Sequence, residues 1–168
     1  MKNIGLFFGS FNPIHLGHLA IADFFVENSG LEEIWLVISP QSPFKEKNSL
    51  MENKQRLAML ETAIEGKPKR KADTKEFDRP TPNYTVDTLD NLKKKYPKNQ
   101  FTLLMGQDNM VQFERWKEHH QILDQFHLFI YPRSQSGKIP TRFLKHRKIH
   151  YFEASLMEVS ATEIRNAI

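Results

Sequence analysis

The stretch IGLFFGSFNPIHLGH, residues 4–18, decides the fold. An apolar run over residues 4–8 ends at Gly9, which reads as a short buried strand. A loop follows through Pro13. Leu16, Leu19, Ala22 and Val26 then recur at spacings of three and four, the pattern of one helix face. Gly30 stops that helix, as a residue free to adopt positive φ does at helix ends. Strand, glycine loop and helix form one βα unit.

The unit repeats in kind along the chain. Residues 34–38 read as a second buried strand, broken by Pro40 and Pro43, and a helix over 55–64 turns Leu57, Leu60 and Ile64 inward. A short strand is expected over 71–77. Val86, Leu89, Leu92 and Tyr96 mark the next helix, stopped by Pro97. Residues 101–105, 128–131 and 149–152 complete the strands, and 160–168 read as the first turns of a last helix. Alternating strands and helices predict an α/β, Rossmann-like fold, a mainly parallel sheet with helices on both faces, in one domain over 1–168. Ligands of such sheets bind where strand carboxyl ends meet helix starts, so the loops after Phe8, Ile38, Met105, Tyr131 and Phe152 should share one rim.

Composition narrows the function classes. The 168 residues are 39% hydrophobic with charge interspersed, which suits a folded domain burying roughly 70% of its unfolded surface. With no cysteine, disulfides and thiolate metal sites are excluded. The apolar run at the start is too short for a signal-peptide core, and nothing approaches a membrane span, so a cytoplasmic protein is expected. The net charge is +4, with basic clusters at 67–71, 93–98 and 145–148. No aromatic residues interleave regularly with them as stacking platforms, so they predict a field favouring small polyanions rather than a nucleic-acid partner.

The first loop carries the chemistry. It has neither the dinucleotide GxGxxG spacing nor the Lys-Ser/Thr pair of a phosphate-binding P-loop. Gly9 lets backbone pass close to a ligand, and the N–H groups of Gly9 and Ser10 can face phosphate oxygens. His15 and His18, three apart, project from one side of a helix start, with Gly17 leaving room between them. A helix N-terminus favours anions, and two imidazoles there suit an oxyanion whose charge grows during reaction. Capping or core histidines are the plainer alternative. Zinc would need a third ligand, and no further histidine or carboxylate spacing supplies one.

GSFNPIHLGH resembles the HxGH motif of the nucleotidyltransferase superfamily, and its FNPIHxGH form is similar to that of bacterial nicotinate-nucleotide adenylyltransferases. Four more segments resemble the same family. They are Pro43-Phe44-Lys45, Tyr84-Thr85-Val86-Asp87-Thr88-Leu89 (YTxDTL), Gly106-Gln107-Asp108-Asn109 with Phe113 and Trp116 behind it, and Ser160-Ala161-Thr162-Glu163-Ile164-Arg165 (SxTxIR). Their order and spacing run from residue 5 to residue 165.

The resemblance implies transfer of an adenylyl group from ATP, accompanied by Mg²⁺, to nicotinate mononucleotide, giving deamido-NAD and pyrophosphate. His15, His18 and Arg165 would be catalytic. Gly9, Ser10, Phe11, Lys45, Gly106, Asp108, Arg133, Ser160 and Thr162 would join those three around ATP. Lys45, Tyr84, Thr85 and Trp116 would hold the mononucleotide, with the Trp116 indole on the pyridine ring. No metal-ligating side chains are expected. A homo-oligomer is compatible with the reading.

Plainer roles stand beside these. Ser160 with Glu163 is also a capping box, Asp108 a helix cap, Trp116 a core residue, and Arg133 and Lys45 surface cations. Phe44 departs from the family's Pro-His-Lys segment, which removes a polar contact at that position. Related enzymes also continue with helical sequence beyond SxTxIR. The competing functions are adenylyl transfer to pantetheine phosphate, which needs neither YTVDTL nor Trp116, and a nucleotide- or RNA-binding module without catalysis.

Overall fold

The computed structural model describes residues 2–9, 11, 16–39, 53–74, 76, 84–132 and 137–153. Their elements run β1 (Asn3–Gly9), α1 (Leu16–Asn28), β2 (Glu33–Ile38), α2 (Asn53–Ile64), β3 (Arg70–Asp73), α3 (Thr85–Lys95), β4 (Gln100–Gly106), α4 (Gln107–Met110), a 3-10 turn (Phe113–Arg115), α5 (His119–Gln125), β5 (His127–Tyr131), α6 (Thr141–Leu144) and β6 (Ile149–Tyr151). The six strands form one sheet in the order β3-β2-β1-β4-β5-β6, and every pairing is parallel. That is the doubly wound order, and its switch point lies between β1 and β4.

Period-two alternation divides the strands between two cores. Ile4, Leu6, Trp35, Val37, Phe101, Leu103, Met105, Leu128 and Ile130 face α3, α5 and α6. Phe7, Ile34, Leu36, Ile38, Leu104 and Tyr131 face α1 and α2. Both faces of the sheet are therefore buried, as parallel sheets require.

The helices sharpen the sequence expectation. In α1, Leu19 and Val26 are only partly buried, while Ile21, Phe24 and Phe25 fill the core between them. The helix is apolar on most sides, so the spacing that marks one stripe understates its buried face. Gly30 has φ of +76° just past α1, the left-handed conformation expected of a helix-ending glycine. In α3, Val86, Leu89 and Leu92 are buried as predicted, and Thr88 is buried with them.

Two expectations change. The third strand spans only Arg70–Asp73, not residues 71–77, because the chain leaves the sheet edge after the buried Asp73. Helices α4, α5 and α6 are absent from the sequence reading. At four, seven and four residues they are too short to establish a 3.6-residue period. The expected helix over 160–168 lies outside the described residues. Among those described, no helix is long and apolar enough to cross a membrane.

Candidate active site

A cavity of about 440 Å³ opens at the carboxyl ends of β1 and β4, the switch point of the sheet. Phe7, Phe8 and Gly9 bring β1 to it, Leu103, Leu104 and Met105 bring β4, and Tyr131 closes the β5 side. Ser39, just past β2, completes that wall. Opposite stand Thr85, the first residue of α3, with Asn109 and Trp116 from the turns after β4. Two of the segments singled out in the sequence, YTVDTL and the one ending in Trp116, thus meet across a cavity from the first loop.

The first loop is held by an aromatic plug. Phe11 is 1% exposed and has φ of +45°, a left-handed conformation that costs a bulky residue energy and persists only where packing holds it. Its ring meets Phe7 edge-on at 5.5 Å and the His18 imidazole edge-on at 5.0 Å. A Cβ at position 9 would come within 3.1 Å of that ring. Gly9 therefore makes room for Phe11 as well as for a ligand. His18, in the first turns of α1, also meets Phe7 with centroids 6.2 Å apart. The Phe7–Phe11 pair fixes the height at which its imidazole stands.

The β4 end is built on the same logic. Gly106 is the N-cap of α4, and a Cβ there would meet Asp108 Oδ1 at 2.5 Å and the Tyr131 ring at 2.8 Å. Glycine at 106 lets the Asp108 carboxylate fold back over the strand end while Tyr131 packs beneath. Asp108 itself is exposed, and its neighbour Asn109 is the residue that lines the cavity.

On the opposite wall the Trp116 indole packs against the buried Phe113, with ring centroids 5.2 Å apart. Tyr84, the N-cap of α3, is 43% exposed; its carbonyl accepts the N–H groups of Asp87 and Thr88 at 3.1 and 3.2 Å. The Lys117 ammonium sits 4.7 Å over the Tyr84 ring and 3.4 Å from Asp87, tying the turn after Trp116 to the start of α3. Behind the wall, the Thr88 hydroxyl donates to the buried Glu76 carboxylate at 2.7 Å. Of the two histidine pairs elsewhere, His119 and His127 both titrate below the ordinary range. Burial is the main cause, helped by the neighbouring His120 and His150 respectively.

The structure thus brings together Gly9, Thr85 and Trp116 on the cavity wall, with Phe11 and His18 packed on Phe7; Gly106, Asp108 and Tyr84 adjoin lining residues in sequence but do not line the cavity themselves. Ser10, His15, Lys45, Arg133, Ser160, Thr162 and Arg165 lie outside the described residues. Ser39, Asn109 and Tyr131 line the cavity without having been chosen from sequence. Each sits at or just beyond a strand end, the positional signal that finds them. Among the described residues no group of three or more His, Asp or Glu side chains is placed to hold a metal ion.

Comparisons with known proteins place this geometry. A family model described as cytidylyltransferase-like matches residues 6–167. A Christiangramia forsetii protein named "Probable nicotinate-nucleotide adenylyltransferase" is 47% identical, over 99% of this chain and 86% of its own. One of the same name from Bacteroides fragilis is 38% identical, over 98% of this chain and 81% of its own. The solved structure of Plasmodium falciparum nicotinic acid mononucleotide adenylyltransferase complexed with NaAD superposes with a TM-score of 0.76. It covers 99% of this chain and 83% of that one at 24% identity, a likeness of fold.

Proposed function

Because this chain belongs to the nicotinate-nucleotide adenylyltransferases of the cytidylyltransferase-like family, we propose that it joins nicotinate mononucleotide to the adenylyl group of Mg·ATP in the switch-point cavity. The observation that carries this reading is the meeting of Thr85 and Trp116 with the Gly9 loop across one cavity between β1 and β4. An aromatic face and a helix start on one wall suit a flat, anionic ring; the glycine loop on the other suits a polyphosphate.

In the proposed reaction, a phosphate oxygen of the mononucleotide attacks the α-phosphorus of ATP. The bond from that phosphorus to the bridging oxygen of the β-phosphate breaks, and pyrophosphate leaves. Positioning and charge neutralisation drive such a displacement, and no nucleophilic side chain is needed. His15, His18 and Arg165 neutralise the charge that builds on the transferred group. The N–H groups of Gly9, Ser10 and Phe11 face phosphate oxygens, Phe11 by main chain because its ring is buried.

Lys45, Ser160 and Thr162 complete the phosphate contacts. Gly106, Asp108 and Arg133 hold the nucleoside end of ATP. Trp116 stacks on the pyridine ring, while Tyr84 and Thr85, with backbone donors at the start of α3, orient its carboxylate. Magnesium arriving with ATP would need few protein ligands beyond the phosphates, and among the described residues Asp108 is the carboxylate nearest in sequence to the cavity lining. The ion would supply further neutralisation of phosphate charge. The reaction needs one domain, over 1–168, and a cytoplasmic supply of ATP; no nucleic acid takes part.

The test is pyrophosphate release with nicotinate mononucleotide, nicotinamide mononucleotide and phosphopantetheine as acceptors, each with Mg·ATP and with ATP in chelator. Turnover is expected with nicotinate mononucleotide foremost and to depend on Mg²⁺. Turnover with phosphopantetheine alone, or none with any acceptor, would sink the reading.

A further inference from the structure

Arg56 is the largest side chain with no exposure among the described residues. It lies on α2 one turn before the buried Leu60, in a helix with a largely polar surface. A guanidinium in a core gives up strong hydration, which is tolerated only where its donors are bonded to something fixed. Burial also holds its pKa below the ordinary arginine value.

What it holds is the rim. Arg56 Nη1 donates to the carbonyl of Ser39 at 2.6 Å, and the Ser39 N–H donates to the carbonyl of Gly9 at 2.9 Å. Ser39 is the first residue past β2 and Gly9 the last of β1, and both line the cavity. Among the described residues, none of α2 lines that cavity itself. One guanidinium therefore connects a helix at the β3 side of the sheet to the two strand ends that form the phosphate wall. The opposite wall is fixed from behind in a similar way by the Glu76–Thr88 bond, three residues past Thr85.

We propose that Arg56 is a positioning residue for adenylyl transfer. By fixing the Ser39 carbonyl, and through it the Gly9 end of β1, it keeps the two cavity walls at the separation an in-line displacement needs. The proposal rests on the function assigned above. A shift on the order of 1 Å in such a frame lowers rate by about 100-fold while leaving ground-state binding largely intact.

The deciding experiment compares wild type, Arg56→Met and Arg56→Lys at saturating Mg·ATP, with activity scaled to folded protein. Arg56→Met fills the volume but cannot donate. Its kcat is expected to fall about 10- to 100-fold, with both KM values within about 3-fold of wild type. Arg56→Lys retains a donor without the planar fork and should recover only part of that loss, with kcat still about 3- to 10-fold below wild type. A purely structural role predicts the opposite: a lowered melting temperature with kcat per folded molecule unchanged. If Arg56→Met retains kcat within about 2-fold, the proposal is overturned.

Should Arg56→Met fail to fold, Arg56→Lys decides on the same readout, because a flexible ammonium cannot hold the Ser39 carbonyl as a planar guanidinium does. A reduced kcat at unchanged KM supports positioning, and a wild-type kcat overturns it. Absence of turnover by the wild type removes the functional reading and this proposal together; wild-type turnover that Arg56→Met retains removes this proposal alone.

Discussion

The two ends of the sheet carry cavities of similar size, about 440 Å³ at the carboxyl end and about 380 Å³ at the amino end. Both have histidines and aromatic rings close by. What differs is how the polar groups are used. At the amino end they bind each other. The Glu33 carboxylate accepts from Lys2 at 2.8 Å and from the Trp35 indole at 2.9 Å, with Lys71 3.2 Å away. The N–H of Asn3 donates to Glu32 at 2.6 Å. His127 Nδ1 and His150 Nε2 stand 3.1 Å apart. Their ring centroids, 5.3 Å apart at an interplanar angle of 25°, exceed that contact only by the two ring radii. The imidazoles therefore meet edge to edge, and one proton fits between them.

At the carboxyl end, apolar contacts brace the rings beside the cavity, with the Arg56–Ser39 and Thr88–Glu76 bonds fixing the walls behind them. Phe7 and Phe11 brace His18, Phe113 braces Trp116, and glycines at 9 and 106 make room. Cavity volume alone does not tell these ends apart; chain direction does.

The largest expected contrast is catalytic. His18→Ala should lower kcat by about 100- to 1,000-fold, by analogy with the loss of one oxyanion-hole donor, while His150→Ala should leave it unchanged. Steady-state assays of the two variants check this, and equal losses would erase the distinction between the ends. A smaller effect is expected at Trp116. Trp116→Ala should raise KM for the mononucleotide about 10-fold or more with KM for ATP unchanged, since stacking on a flat ring contributes about 1–3 kcal/mol. An unchanged mononucleotide KM would move the ring elsewhere.

The smallest effect belongs to the amino end and to acid. Burial alone would raise the Glu33 pKa, but hydrogen bonds from Lys2, Trp35 and Lys71 outweigh it and pull the value from 4.5 down to about 2. A depressed carboxyl contributes stability above pH 4.5 that is lost as pH falls toward 2. His127 is depressed below 6.5, so it favours the unfolded chain once pH drops beneath that value. Melting temperature should therefore decline in two stages on acidification, below about 6.5 and again below about 4.5. Glu33→Gln should lower the neutral-pH melting temperature and flatten the second stage. An unaltered second stage would show that this cluster does not stabilise the fold.

Much of this was legible in the sequence, for identifiable reasons. Buried strands with abrupt glycine ends mark the sheet and its rim, Gly9 among them, whereas Gly106, Thr85 and Trp116 were singled out only through their resemblance to family motifs. Ile21, Phe24 and Phe25 were harder, because a helix apolar on most sides has no clear stripe to read. Arg56 was not legible at all. Within NKQR it resembles every solvated basic residue on a helix, and only the path of Ser39 gives its guanidinium a reason to be inside. Asn109 and Tyr131 are ordinary residues made significant by where a strand stops.

The parallel pairing of β1 has a consequence for how the chain is made. Asn3 lies against Gln100 in the finished sheet, and Ile4 against Glu33. The strand made before every other described strand is thus central, and one of its edges waits for a partner encoded roughly a hundred residues later. At elongation rates of about 5–20 residues per second, that is an interval of about 5–20 s. Through it the Ile4–Phe8 segment is open to any other strand or to a chaperone. The segment that later lines the carboxyl-end cavity is thus exposed to mispairing during biosynthesis.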